Sequence, residues 1–152
     1  MVYLLALLIG IIAGLRTMTA IAAASWAAYL GYLSLDGSWL AFLGYRFTPW
    51  ILSALALGEF VTDQLPFTPS RKVPAQFGAR IVSGAISGAA IALPSGTWIG
   101  GLIAGAVGAV IGTLGGAAAR SRLATAFGRD LPAALIEDAI AILGAVLVVG
   151  LL

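Results

Sequence analysis

Four carboxylates and two guanidinium groups sit where the surrounding residues offer them no water. Glu59 and Asp63 are four residues apart in an apolar stretch, and Glu137 adjoins Asp138 in another. Arg16 is the only charged residue in the first 35 positions, and Arg80 lies in a run of small and apolar residues. A central arginine costs roughly 2.5–3.5 kcal/mol in a membrane span, so such a group faces a protein interior or a wet cavity. At i, i+4 the Glu59 and Asp63 side chains share a helix face, where like charges repel. In a low dielectric one of them would take up a proton or hold a cation. Intramembrane carboxylates of this kind mark proton and cation pathways. Glu59, Asp63, Glu137 and Asp138 are therefore the candidate ion- or substrate-binding groups, with Arg16 and Arg80 as charge partners. The same six residues also read as ion pairs that only pin helices together.

The elements that must position these groups are membrane helices. The chain has 152 residues, 61% hydrophobic and 9% charged, with a mean hydropathy of +1.08. Soluble domains carry about 25% charged residues, which points to a single integral membrane domain over residues 1–152. A net charge of +2 is far too small for a nucleic-acid surface. The absence of Cys and His removes thiol catalysis, Cys/His zinc sites and Ser-His-Asp triads. With no other nucleophile constellation, the expectation is no enzyme and no cofactor. A metal, if bound, would be a hard cation on carboxylates and carbonyls.

A span needs about 20 apolar residues. Five segments qualify: Val2–Leu33, Pro49–Leu65, Ala75–Leu93, Thr97–Ala119 and Leu131–Leu152. The first, read as retained rather than cleaved, would form a straight helix of about 48 Å against a core of about 30 Å. Gly14, Arg16, Thr17 and Thr19 mark the place for a break or kink. The expected fold is all-α, a polytopic bundle of about five spans whose first helix is broken or tilted. Arg71, Lys72, Arg120, Arg122 and Arg129 fall in two loops on one side, opposite Arg46. The positive-inside rule then puts the N-terminus in and the C-terminus out, in a cell inner (cytoplasmic) membrane. Trp26, Trp39, Trp50 and Trp98 collect near the other interface, where Ser38–Phe47 suggests a short interfacial helix.

Gly101, Gly105, Gly108, Gly112, Gly115 and Gly116 recur at steps of one, three and four, and Gly84 and Gly88 repeat the spacing upstream. Small residues so placed let helix backbones approach closely. Gly101, Gly105, Gly108, Gly112 and Gly116 are the expected packing positions, within the chain or between copies in a homo-oligomer.

Three segments carry a resemblance: GLRTMTAIAAA from Gly14, GEFVTDQLP from Gly58 and RDLPAALIEDAIA from Arg129. Together they are similar to the domain-of-unknown-function 4126 family of small bacterial multi-pass membrane proteins. That resemblance implies a membrane fold and brings no activity with it. Gln64 stands where the family pattern has a Lys after the Asp. The leading expectation is a transporter or permeation protein for a cation or small polar solute. The alternative is a non-catalytic assembly or accessory subunit with a purely structural charge layer.

Overall fold

The computed structural model describes residues 1–62 and 74–152. Asp63, Arg71 and Lys72 lie outside the described residues. The described chain is helical: α1 (Val2–Leu15), α2 (Thr17–Tyr29), α3 (Thr48–Thr62), α4 (Pro74–Ala92), α5 (Trp98–Phe127) and α6 (Asp130–Gly150). Short 3-10 turns cover Ala41–Gly44 and Leu93–Ser95. The first replaces the interfacial helix expected over Ser38–Phe47. Three stretches are long and apolar enough to cross a membrane, namely Ala75–Ser95, Trp98–Phe127 and Pro132–Gly150. Val2–Leu15 and Thr48–Val61 are apolar but shorter.

The long first run is two helices joined by one residue. Arg16 is extended, with φ −144° and ψ 110°, and ends α1 while starting α2. Contacts fix the direction of each helix. Tyr3 lies against Gly100, Ile11 against Gly112, and Gly14 against Thr113, so α1 runs alongside α5 in the same sense. Thr17 meets Ser83 and Glu59, whereas Trp26 reaches Ser53 and Trp50 at the start of α3. The α2 helix therefore returns to the end of the bundle from which α1 set out. The break expected within Val2–Leu33 thus falls at Arg16, and the chain reverses there, so α1 and α2 form a hairpin with Arg16 at its tip.

Gly144 packs on Ile12 and Asp138 bonds to Arg16, so α6 runs opposite to α1. Leu152 thus emerges at the end of the bundle where Met1 begins. An apolar segment of 32 residues fits one tilted span or two short helices equally well, and each choice flips the N-terminus.

Glycine faces hold the centre. Gly84 and Gly88 of α4 meet Gly101 and Gly105 of α5, while Gly10 and Gly14 of α1 meet Gly105, Gly108 and Gly112 of α5. A Cβ at Gly105, Gly108 or Gly112 would overlap Gly84 O, Leu7 O or Ile11 O respectively. These helices touch backbone to backbone, which favours close dispersion contact and Cα–H···O bonds. Beyond them Gly115 faces open space, and Gly116 lines a small cavity. The glycine face is thus spent inside the chain from Gly101 to Gly112. A homo-oligomer built on it would first have to unpack α1 or α4.

Overpacking usually costs about 1–3 kcal/mol, and more where backbone blocks relief. Gly108→Leu and Gly112→Leu should each abolish folding of the single chain, seen as lost monodispersity and a collapsed thermal transition in detergent. A variant that keeps the wild-type melting temperature and merely changes oligomeric state would overturn this packing.

A cap closes the end holding both termini. Leu33, Leu35, Leu40 and Leu43 are buried there, and Ser25 Oγ donates to Leu43 O. Trp26 Nε1 donates to Ser53 Oγ at 2.8 Å and its ring meets Trp50 edge-on at 5.0 Å. Trp39 packs on Trp98 at 5.5 Å, tying the cap to the start of α5. The tryptophans therefore share one end of the bundle, while Arg120, Arg122 and Arg129 mark the other.

Candidate functional site

Breaking a helix inside a bundle leaves polar backbone groups that must find partners. The last carbonyls of α1 and the first N–H groups of α2 lose their helical bonds at Arg16. Without water each orphan would cost several kcal/mol, so irregular backbone at membrane depth is tolerated only inside protein or beside a wet cavity. Charged side chains meet these groups here.

The Glu59 carboxylate, from the third helix, sits on the amino end of α2. The Thr17 N–H donates to Oε2 at 3.0 Å and the Met18 N–H to Oε1 at 3.2 Å. An anion is favoured at a helix N-terminus by the dipole and by its unpaired donors. On the other side of the break, Arg80 Nη1 donates to Gly14 O at 2.8 Å, and Arg16 Nη1 donates to Leu15 O at 3.1 Å. Both are cations on the carboxyl end of α1, again the sign the dipole favours. Ser83 Oγ completes the tip by donating to Thr17 O at 2.6 Å.

Arg16 is wholly buried, with 0% exposure. Its Nε donates to Asp138 Oδ1 at 2.7 Å and its Nη2 bonds to the same oxygen. Its Nη1 lies 3.5 Å from Glu137 Oε1, and the guanidinium stacks over the Phe60 ring at 5.7 Å from the centroid. The other Glu137 oxygen, Oε2, accepts from Arg120 Nη1 at 3.5 Å. Glu137 therefore bridges two guanidinium groups, one at the hairpin tip and one near the end of α5. Arg80, at 2% exposure, is as secluded as Arg16.

Adjacent acids on one helix point about 100° apart, and this is why α6 can offer both. Glu137 reaches between Arg16 and Arg120, while Asp138 faces Arg16. Among the described residues the layer holds three cations (Arg16, Arg80, Arg120) and three anions (Glu59, Glu137, Asp138).

The structure thus brings Arg16, Arg80, Glu59, Glu137 and Asp138 to one level around the hairpin tip, and Asp63 falls outside the described residues. Sequence reasoning missed Arg120, which was assigned to a loop because it follows an apolar run. It also missed the Thr17 and Met18 amides and the Gly14 carbonyl. The one signal for them was the break itself, since a helix interrupted at Arg16 must expose those groups.

Among the described residues, fold and site together define a helical bundle with three helices long and apolar enough to cross a membrane, and a charge layer at the tip of the α1–α2 hairpin. Comparison with known proteins returns no matching family model, no matching characterised protein and no matching solved structure.

Proposed function

We propose that this chain is a small, non-enzymatic permeation protein or transporter for a cation or small polar solute, with Glu59 and the α6 acids as its binding groups. The observation that carries this reading is the re-entrant hairpin, whose broken tip meets Glu59 on one side and Arg80 on the other. Discontinuous helices ending near mid-membrane build substrate and ion sites in transporters, because their free N–H and C=O groups coordinate solutes. The motif resemblance to the domain-of-unknown-function 4126 family belongs to the same proposal.

The proposed topology is a cell inner membrane with the hairpin α1–α2 entering from outside and α3–α6 crossing in alternation. Both termini then lie outside, since the basic loops favour the cytoplasmic side. The chain has no Cys, so single cysteines at positions 2 and 152 report side directly. Both should react with a membrane-impermeant maleimide added to intact cells. Labelling of only one of the two would sink the hairpin topology.

A second reading is favoured by the ion pairs that join Arg16 to Asp138 and Glu137, and Glu137 to Arg120. Such pairing suits a non-catalytic assembly or accessory subunit, in which the ions fix helix register. Flux separates the two readings. Wild-type proteoliposomes should pass protons, monovalent cations or small polar solutes at a rate that depends on Glu59. Liposomes silent across such a panel would move the conclusion to the structural reading.

A further inference from the structure

Between α5 and α6, on the side of the bundle away from the cap, lies a half-open cavity of about 60 Å³. Leu15, Leu123, Ile136 and Ile140 wall it, and Arg120 and Glu137 border it. Its surface is almost wholly apolar. Such a cavity stays dry and takes apolar ligands rather than water. Gly116 and Ala119 give α5 too little side chain to fill the space against α6.

Arg120 sets its depth. It follows Trp98 by 22 residues of continuous helix, about 33 Å, which is roughly the thickness of the hydrocarbon core. With Trp98 at one interface, Arg120 stands at the opposite one, at headgroup level. An arginine there ordinarily extends toward water and phosphates. This one turns inward to Glu137, at the 3.5 Å limit of a hydrogen bond, and its side chain keeps 15% exposure. Arg122 and Arg129, both exposed at the same end, add positive potential.

We propose that this cleft is a binding site for an anionic phospholipid, with the phosphate on Arg120 and part of one acyl chain between α5 and α6. Basic pockets between membrane helices on the cytoplasmic side recognise anionic headgroups in this way. The phosphate competes with Glu137 for Arg120, so lipid binding loosens the outermost link of the charge layer. The inference rests on the membrane setting and not on transport, so its test is independent of any flux.

The test uses the full chain in detergent, titrated with phosphatidylglycerol or phosphatidylcholine and read by native mass spectrometry. Phosphatidylglycerol should bind about fivefold or more tightly than phosphatidylcholine, the increment one basic residue gives near a membrane surface. Arg120→Gln should erase that preference. Ala119→Phe, which fills the cleft from an exposed position and keeps the guanidinium, should weaken phosphatidylglycerol several-fold. Arg46→Gln, at the other end, should change nothing. Equal binding of the two lipids by the wild type overturns the proposal. So does undiminished phosphatidylglycerol binding by Ala119→Phe, an outcome readable even if Arg120→Gln fails to fold.

Discussion

Arg16→Leu should destabilise the bundle by about 3–5 kcal/mol, the cost of leaving buried partners of a removed charge uncompensated. Asp138 loses its bonds to that guanidinium, and Glu137 loses Arg16 while keeping Arg120. The Leu15 carbonyl loses a donor as well. In detergent the variant should melt well below the wild type or fail to purify as a folded species. Removing both charges is a different matter, because a buried ion pair replaced by apolar groups of similar volume is often neutral or better. Arg16→Met combined with Asp138→Leu should recover much of the loss that either change causes alone. A double variant no more stable than the worse single would mean that the pair is not an isolated energetic unit. Since Glu137 also contacts Arg16, complete recovery is not expected.

Glu59→Gln should abolish solute-linked flux in proteoliposomes while the fold survives, with a drop of at least about tenfold if the carboxylate charge is needed at the site. The substitution keeps an acceptor oxygen for the Thr17 or Met18 amide but removes the anion from the α2 terminus. A charge–dipole contribution of this kind is worth about 0.3–1 kcal/mol when exposed and up to about 2 kcal/mol when partly buried. The structural cost is therefore modest beside the functional one. The structural reading predicts the opposite pattern: no flux in any variant, and a lower melting temperature for Glu59→Gln. A variant that is both stable and fully active would remove Glu59 from either account.

Much of this arrangement was visible in the residues. The charged positions stood out because each lies in or beside an apolar segment. Gly14, Arg16, Thr17 and Thr19 announced an interrupted helix. The reversal of direction at Arg16 was hidden, since hydrophobicity counts residues and does not record the sense in which a chain runs. Arg120 was hidden for a related reason. It sits in the same helix as Gly101, yet the apolar run stops at Ala119, and composition alone ends the element there. The glycine spacing foretold close backbone approach, but not that α1 would fill one side of α5 and α4 the other. Contacts between distant segments, such as Gly10 with Gly105, leave no mark in local periodicity.

The single extended residue at the hairpin tip also has a consequence in time. Arg16 is made well before its carboxylate partner Asp138, which follows 122 residues later. At about 5–20 residues per second the ribosome needs roughly 6–24 s to supply it. During that interval the hairpin waits for the α6 carboxylates at its guanidinium, while Glu59 of α3 and Arg80 of α4 reach its two helix ends first. Closure of the tip thus reports that synthesis has passed α6. A chain cut short before α6 lacks the Asp138 and Glu137 partners of that guanidinium.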